Sequence, residues 1–307
     1  VNPPVPPGLT SGIELRVSTA GGSTLRRFDA YVPTRGLRAG APLVIVFHGG
    51  TRSSRDVVLG GEPLGVFREL AETEGLLLLA PNGTDAEGRP DAQSASWNDC
   101  RPETTSRADD VAFFDALVDW ARVGFDIDER RIYVTGPSNG GLMSYRLVLE
   151  RAPRIAAAVA FIANLPEPSI ADCFPGVGAV PIAIMNGTTD RLMAYEGGTL
   201  TAGDGGTVLS TLDTVTFWRE RNGARLAADV FAYPDEDRTD GSTISRMDYL
   251  GDDGKPWVRF FRVEGGGHAI PSRAHPLRPG VASVLGGQNR DVEGAVLAWE
   301  FMRLHRR

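Results

Sequence analysis

Cysteine is scarce: the 307-residue chain holds two, Cys100 and Cys173. No Cys/His cluster has the spacing of a zinc site, so no metal is expected. Neither a phosphate loop nor a dinucleotide fingerprint occurs, so no cofactor is expected either. Lysine is almost missing: Lys255 stands alone, and arginine supplies the other basic residues. This reads as codon bias rather than as a surface built to bind carboxylates. Acidic residues outnumber basic ones and leave a formal charge of −7. Such a balance argues against nucleic acid or an anionic membrane as partner. No apolar run reaches membrane-spanning length; the longest, near Leu76 to Ala80, is strand-sized. Internal repeats and long low-complexity linkers are absent too. The chain is therefore divided into a Pro-rich leader, 1–12, and a single domain, 13–307. "VNPPVPPGLT" is no signal peptide; it suits either the end left after one is removed or a trimmed terminus.

What is present alternates between strand and helix. Ile13 to Thr19 and Thr24 to Val32 flank a turn at Ala20-Gly21-Gly22-Ser23, a hairpin pattern. Short apolar runs follow at Leu43 to Phe47, Leu76 to Ala80, Ile132 to Thr135, Ala156 to Ile162 and Ile182 to Met185. Their near-continuous hydrophobicity suits parallel strands covered on both faces. Between and after them lie the helical patterns "GVFRELAETEG", "DDVAFFDALVDWARV", "TVLSTLDTVTFWRERNG" and "RDVEGAVLAWEFMRLHRR". Phe113, Trp120, Trp218 and Trp299 sit on these helices and read as core. The pair Asp109-Asp110 opens one of them and reads as a helix cap rather than a metal ligand. The expected fold class is α/β, a mostly parallel sheet with an antiparallel N-terminal hairpin and helices on both faces.

One junction carries chemistry. Gly136-Pro137-Ser138-Asn139-Gly140 places the pattern G-x-S-x-G after a strand and before a helix, the context of a nucleophile elbow. Ser138 is the candidate nucleophile. A Cβ at position 136 or 140 would strike the neighbouring strand or helix. The amide of Asn139, at the helix N-terminus, is a candidate oxyanion donor. An elbow calls for an acid and then a histidine further along. Of four histidines, His48 precedes the elbow and suits a structural role within its loop. His305 lies in the last helix and suits a helix cap. His268, in "VEGGGHAIP" after a strand at Val258 to Val263, is the candidate base, in a loop expected to be mobile and exposed; His275 is the fallback. Asp190, in the turn "NGTTD" after Ile182 to Met185, is the candidate acid. Asp213, Asp235, Asp237, Asp240 and Asp248 compete from a helix or from solvated turns. After the strand Val44 to Phe47, Gly49-Gly50-Thr51 offers the second oxyanion donor, Gly50, with Thr51 as alternate. Trp97 either lies along a substrate or tucks against the sheet, and Tyr195 is a weaker candidate of the same kind. Both cysteines lie in Pro- and polar-rich loops, which favours one bridge over two unpaired thiols and, with it, an oxidising compartment.

These residues resemble, from about Leu15 to Trp299, a family of bacterial secreted esterases on the α/β-hydrolase fold. The family is known as polyhydroxybutyrate depolymerases and feruloyl esterases. The resemblance rests on "VIVFHGG", "WNDC" followed by "ADDVAFFDALVDW", "IYVTGPSNGGLMSYRL", "NGTTD", "TVTFWRERNG" and "GGGHAIP". It implies Ser138 as nucleophile, Asp190 as acid, His268 as base and Gly50 as oxyanion donor. It also implies a Cys100–Cys173 bridge and a secreted or periplasmic location. Two features depart from the family. Ala269-Ile270-Pro271 replaces a frequent Thr-Trp-Pro, leaving Ile270 as the candidate pocket residue, and no polymer-binding module is found. The expected substrate is a soluble or oligomeric ester, of hydroxycinnamoyl or hydroxyalkanoate type. A serine peptidase or thioesterase with the same triad, or a non-catalytic binding protein, is the alternative.

Overall fold

The computed structural model describes residues 5–59, 61–90, 94–169, 171, 176–201 and 203–307, without the side chains of 226–228. A ten-stranded sheet runs through them in the order β1-β2-β4-β3-β5-β6-β7-β12-β11-β10. Its centre comprises β4 (Leu77–Pro81), β3 (Ala41–Val46), β5 (Ile127–Pro137), β6 (Ala157–Phe161), β7 (Ile182–Gly187) and β12 (Pro256–Glu264). These six are mutually parallel. Antiparallel pairs close both edges: β1 (Gly8–Thr19) with β2 (Gly22–Val32), and β10 (Arg225–Ala232) with β11 (Thr243–Leu250).

β3, β4 and β6 are apolar and buried at every position because both faces are covered. Leu43 and Ile45 join one core cluster with Phe114, Leu117, Tyr145 and Trp218. Val44 and Val46 join another with Phe67, Phe161, Trp299 and Phe301. The first cluster packs under α3 (Asp110–Gly124), α4 (Asn139–Arg151) and α5 (Thr211–Asn222). The second packs under α2 (Val66–Glu74) and α7 (Gly294–Met302). Two short helices, α1 (Arg55–Val58) and α6 (Pro279–Leu285), and a small ribbon of β8 (Gly198–Thr199) with β9 (Thr207–Val208) lie in loops. Phe113, Trp120, Trp218 and Trp299 are core residues, as expected.

Three boundaries differ from expectation, and one strand pair was not expected. Strand β1 starts at Gly8, inside the stretch read as a leader, because Gly8 to Thr10 pair with Val32 to Ala30. The helix expected over 207–223 starts at Thr211, since Ser210 caps it and Thr207-Val208 pairs in the ribbon. The last helix covers only 294–302; upstream, Asp291 turns its carboxylate to the amides of Glu236 and Asp237 instead of leading a helix. The pair β10–β11 had no clear signal in the sequence. Its register shifts between Leu226 and Val230, and Arg246 and Asp248 occupy half-buried positions, so alternation is blurred. Among the described residues, no helix is long and apolar enough to cross a membrane.

Candidate active site

The carboxyl ends of β3, β5, β6, β7 and β12 meet around one cavity of about 620 Å³. Sites of this fold lie at that edge because the strand ends and following loops converge there. The corner between β5 and α4 contributes Ser138. Its φ of 53° and ψ of −124° lie where a side-chain-bearing residue is strained. The Ser138 amide donates to the Phe161 carbonyl at 2.9 Å, and its own carbonyl accepts from Leu142 in the first turn of α4. A serine at a helix start ordinarily caps the helix with its hydroxyl; here the hydroxyl makes no capping bond. Close packing enforces the corner: a Cβ on Gly136 or Gly140 would collide with the Phe47 carbonyl oxygen. The strand–corner–helix reading of this stretch is thus matched in geometry.

Asp190 and His268 come together at the ends of β7 and β12. The imidazole Nδ1 lies 2.7 Å from Asp190 Oδ2. The other oxygen, Oδ1, accepts from the amides of Leu192 (2.8 Å) and Met193 (2.9 Å), so the carboxylate is held at both ends. His268 lines the cavity with Ser138. It is 9% exposed, not the exposed base expected. The reason is its loop, where the Gly267 amide donates to Gly287 and the His268 amide to Leu285. His275 also reaches the cavity wall, but the carboxylate partner belongs to His268. The competing carboxylates serve their own segments. Asp213 bonds Ser210, Asp237 bonds Thr239, Asp240 bonds Ser242, and Asp248 pairs with Arg259 and Arg246. Asp235 lies on the exposed turn between β10 and β11.

The Gly49-Gly50-Thr51 turn lies beside Ser138 and Asn139 in the cavity wall. Gly50 packs against Asn139, with an added Cβ falling 3.8 Å from that residue's own. Thr51 is corrected as an alternate donor: its amide is engaged by the Ala95 carbonyl at 2.9 Å. His48 keeps to structure. Its Nδ1 lies 2.7 Å from the Gly49 carbonyl, and Nε2 accepts from the Gly83 amide at 2.9 Å.

Trp97 and Tyr195 are corrected as substrate residues. Trp97 is fully buried; its indole N–H donates to the His48 carbonyl at 2.8 Å and its ring meets Phe47 edge-on. An indole so placed buttresses the glycine turn from beneath. Tyr195 is buried in the core beside Arg262, away from the cavity lining. Ile270 does line the cavity. Cys173 lies outside the described residues, so the expected bridge to Cys100 falls outside them too.

Sequence reasoning missed a buried clamp around Asn139. Its Oδ1 accepts from the Trp97 amide at 2.7 Å, and its Nδ2 donates to the Trp97 carbonyl and to Asp99. Asp99 in turn pairs with Arg101 at 2.6 Å, both nearly inaccessible. Burial alone would lower the Arg101 pKa, but Asp99, Asp204 and Glu103 reverse that and raise it. Asp109 caps α3 through the Ala112 amide, as expected. Asp110 goes further: it pairs with buried Arg26 at 2.6 Å and accepts from the Asn98 amide, fixing the same loop. The only trace in the sequence was the motif "WNDC" followed by "ADD".

The chain is similar to known esterases. No protein-family model matches the chain. "Putative esterase NocK" of Nocardia uniformis subsp. tsuyamanensis is 28% identical over 311 aligned residues, 97% of this chain and 84% of that protein. Feruloyl esterase D of Neurospora crassa is 29% identical over 104 residues, 34% of this chain and 32% of its own. The solved acetyl xylan esterase from Aspergillus awamori superposes with a TM-score of 0.55 at 15% identity, covering 85% of this chain and 96% of that one. At that identity the likeness is one of fold. Taken with the mixed, mostly parallel sheet and its helices, these similarities give an α/β-hydrolase fold and a carboxylic ester hydrolase similar to known esterases.

Proposed function

We propose that the cavity hydrolyses carboxylic esters through an acyl-enzyme on Ser138. The observation that carries this reading is the 2.7 Å contact between His268 Nδ1 and Asp190 Oδ2, on a histidine that shares its cavity with Ser138. With Nδ1–H donating to Asp190, Nε2 is the basic nitrogen and takes the Ser138 hydroxyl proton as Oγ attacks the ester carbonyl. The amides of Asn139 and Gly50 receive the oxyanion, each such donor contributing roughly 2.7–4 kcal/mol. As the C–O bond to the alcohol breaks, the imidazolium returns its proton to the leaving oxygen. Water then attacks the acyl-enzyme, giving up a proton to His268, and the acid leaves with Ser138 restored.

The substrate is a soluble or oligomeric ester of hydroxycinnamoyl or hydroxyalkanoate type. Supporting this are the feruloyl esterase relative and a cavity volume within the ~300–1,000 Å³ of small-molecule sites. The enzyme works in a secreted or periplasmic setting, where a Cys100–Cys173 bridge would persist.

A substrate panel at neutral pH tests the reading. It sets p-nitrophenyl acetate and butyrate beside methyl ferulate, hydroxybutyrate oligomers, an acyl thioester and a peptide anilide. Ester turnover is expected, falling by about 10⁶ in kcat for Ser138→Ala. A fluorophosphonate should label the parent protein stoichiometrically and leave Ser138→Ala unlabelled. Turnover confined to the anilide or the thioester, or ester turnover unchanged in Ser138→Ala, would overturn it.

A further inference from the structure

Ser138 is not the only strained residue at the floor of the cavity. Ile162, one residue past the end of β6, has a φ of 44°. A β-branched side chain in that region is a genuine outlier, which persists only where the surroundings impose it. Thr51 is strained too, but it is Ile162 that neighbours Ser138: Pro137 pairs with Phe161 in the sheet, and the Ser138 amide bonds the Phe161 carbonyl. Nucleophile presentation accounts for the strain at Ser138. Nothing in the hydrolytic steps accounts for it at Ile162.

The consequence of the turn is visible in where the side chain goes. Along β6, Ala158 and Ala160 belong to one core cluster, while Ala157, Val159 and Phe161 belong to the other. Continued alternation would send residue 162 to the side of Ala160. Instead Ile162 joins Phe161, Met185 and Ile270. It remains 6% exposed, and that exposure is to the cavity, which it lines with Ser138, His268 and Ile270. Its backbone is pinned in this pose by the Ile162 amide donating to the Met185 carbonyl at 2.8 Å.

We propose that Ile162 is a specificity-determining residue: its side chain, turned into the cavity floor beside Ser138, limits the length of the acyl group and decides, between the two ester classes proposed above, for the short hydroxyalkanoate acyl over the hydroxycinnamoyl. The inference rests on the acyl-enzyme reading. The leaving alcohol departs with a proton from His268 and must face the open mouth. The acyl group stays attached to Ser138, so it is the part that occupies the buried floor. Removing the Ile162 side chain opens that floor to additional methylenes, each worth roughly a tenfold or greater preference in a fitted apolar pocket.

The test measures kcat/KM for p-nitrophenyl acetate, butyrate, hexanoate and octanoate with the parent protein, Ile162→Val, Ile162→Ala and Ile162→Gly. The parent should favour acetate and butyrate. The octanoate-to-butyrate ratio should rise about tenfold or more in Ile162→Ala and Ile162→Gly, and less in Ile162→Val. Thermal melting separates pose from packing. Glycine tolerates positive φ and alanine does not, so Ile162→Gly should melt above Ile162→Ala, the reverse of the order expected in ordinary strand backbone. An unchanged chain-length ratio in variants that still turn over acetate overturns this inference and leaves the esterase reading standing. A parent protein inert toward the whole series overturns both.

Discussion

Asp190 holds the imidazole of His268 with one carboxylate oxygen and is itself held by two backbone amides through the other. This division means the aspartate cannot swing away to accept a different partner without stranding the Leu192 and Met193 amides. The imidazole is therefore fixed as the Nδ1–H tautomer before any substrate arrives. Asp190→Asn preserves the shape but can present an N–H to Nδ1 and reverse that tautomer. We expect kcat toward p-nitrophenyl butyrate to fall by about 10⁴ with KM little changed. Retention of more than a tenth of parental kcat would show that the imidazole does not depend on this carboxylate.

Trp97 acts on the same chemistry from below. Its ring meets Phe47 and His48, and its N–H supports the His48 carbonyl just before Gly49-Gly50. Trp97→Ala should cost about 3–5 kcal/mol of stability, as large aromatic deletions in a core do. Trp97→Phe keeps much of the volume but removes the hydrogen bond. It should lower kcat while leaving KM unchanged, because the indole touches the turn and not the substrate. A rise in KM with constant kcat would instead return Trp97 to the substrate surface.

How much of this could be read from the residues alone follows from the range of the interactions involved. The corner at Ser138 is local: strand, glycines and helix adjoin in sequence, so its conformation is written in consecutive residues. The helix cap at Asp109 is local in the same sense. Sequence reasoning left Trp97 open between substrate and sheet because an indole in a polar loop carries no periodic signal, and its burial is decided by Phe47 and His48 about fifty positions away. Tyr195 failed for the same reason. Ile162 was hidden differently: it ends a run of apolar residues, and no residue pattern announces a reversed φ at a β-branched position. The antiparallel pair β10–β11 escaped because edge strands expose one face and here carry Arg246 and Asp248, which resemble a solvated turn.

The Asp99–Arg101 pair is buried almost entirely and also receives the Asn139 side chain. Removing one member leaves the other charged and without its partner, a loss of about 3–5 kcal/mol. Asp99→Ala should therefore unfold in urea at a clearly lower midpoint, and its activity loss should lie in kcat, through displacement of the Asn139 end of the proposed oxyanion site. Replacing both, Asp99→Leu with Arg101→Met, removes the stranded charge and should recover part of the stability but not of kcat. If the double replacement restored both, the pair would be a packing element with no hold on catalysis.

A Cys100–Cys173 bridge carries its own expectation. The denatured, unreduced protein should show no thiol reactive with Ellman's reagent, and two after reduction. Cys100→Ser with Cys173→Ser should lower stability by about 2–5 kcal/mol, chiefly by freeing the unfolded chain. Two reactive thiols before reduction would remove the bridge and, with it, the support it lends to an exported location.

His305 sets a pH limit on stability remote from the cavity. It is 4% exposed, packed on Phe301, with its pKa lowered to about 4, first by burial and then by the positive charge of Lys255. In the unfolded chain it would titrate near 6.5. Above that value it is neutral in both states, and stability is at its full level. As pH falls from about 6.5 toward 4 the unfolded chain binds a proton that the folded protein refuses, so stability drops across that window, by at most about 3 kcal/mol, and levels off below it. His305→Phe removes the titrating group while keeping an aromatic ring against Phe301. Urea midpoints of the parent should decline between pH 6.5 and 4 more steeply than those of the variant, the two curves running parallel above pH 7. Identical slopes through the acidic window would mean that His305 takes up its proton as readily in the folded protein as in the unfolded chain.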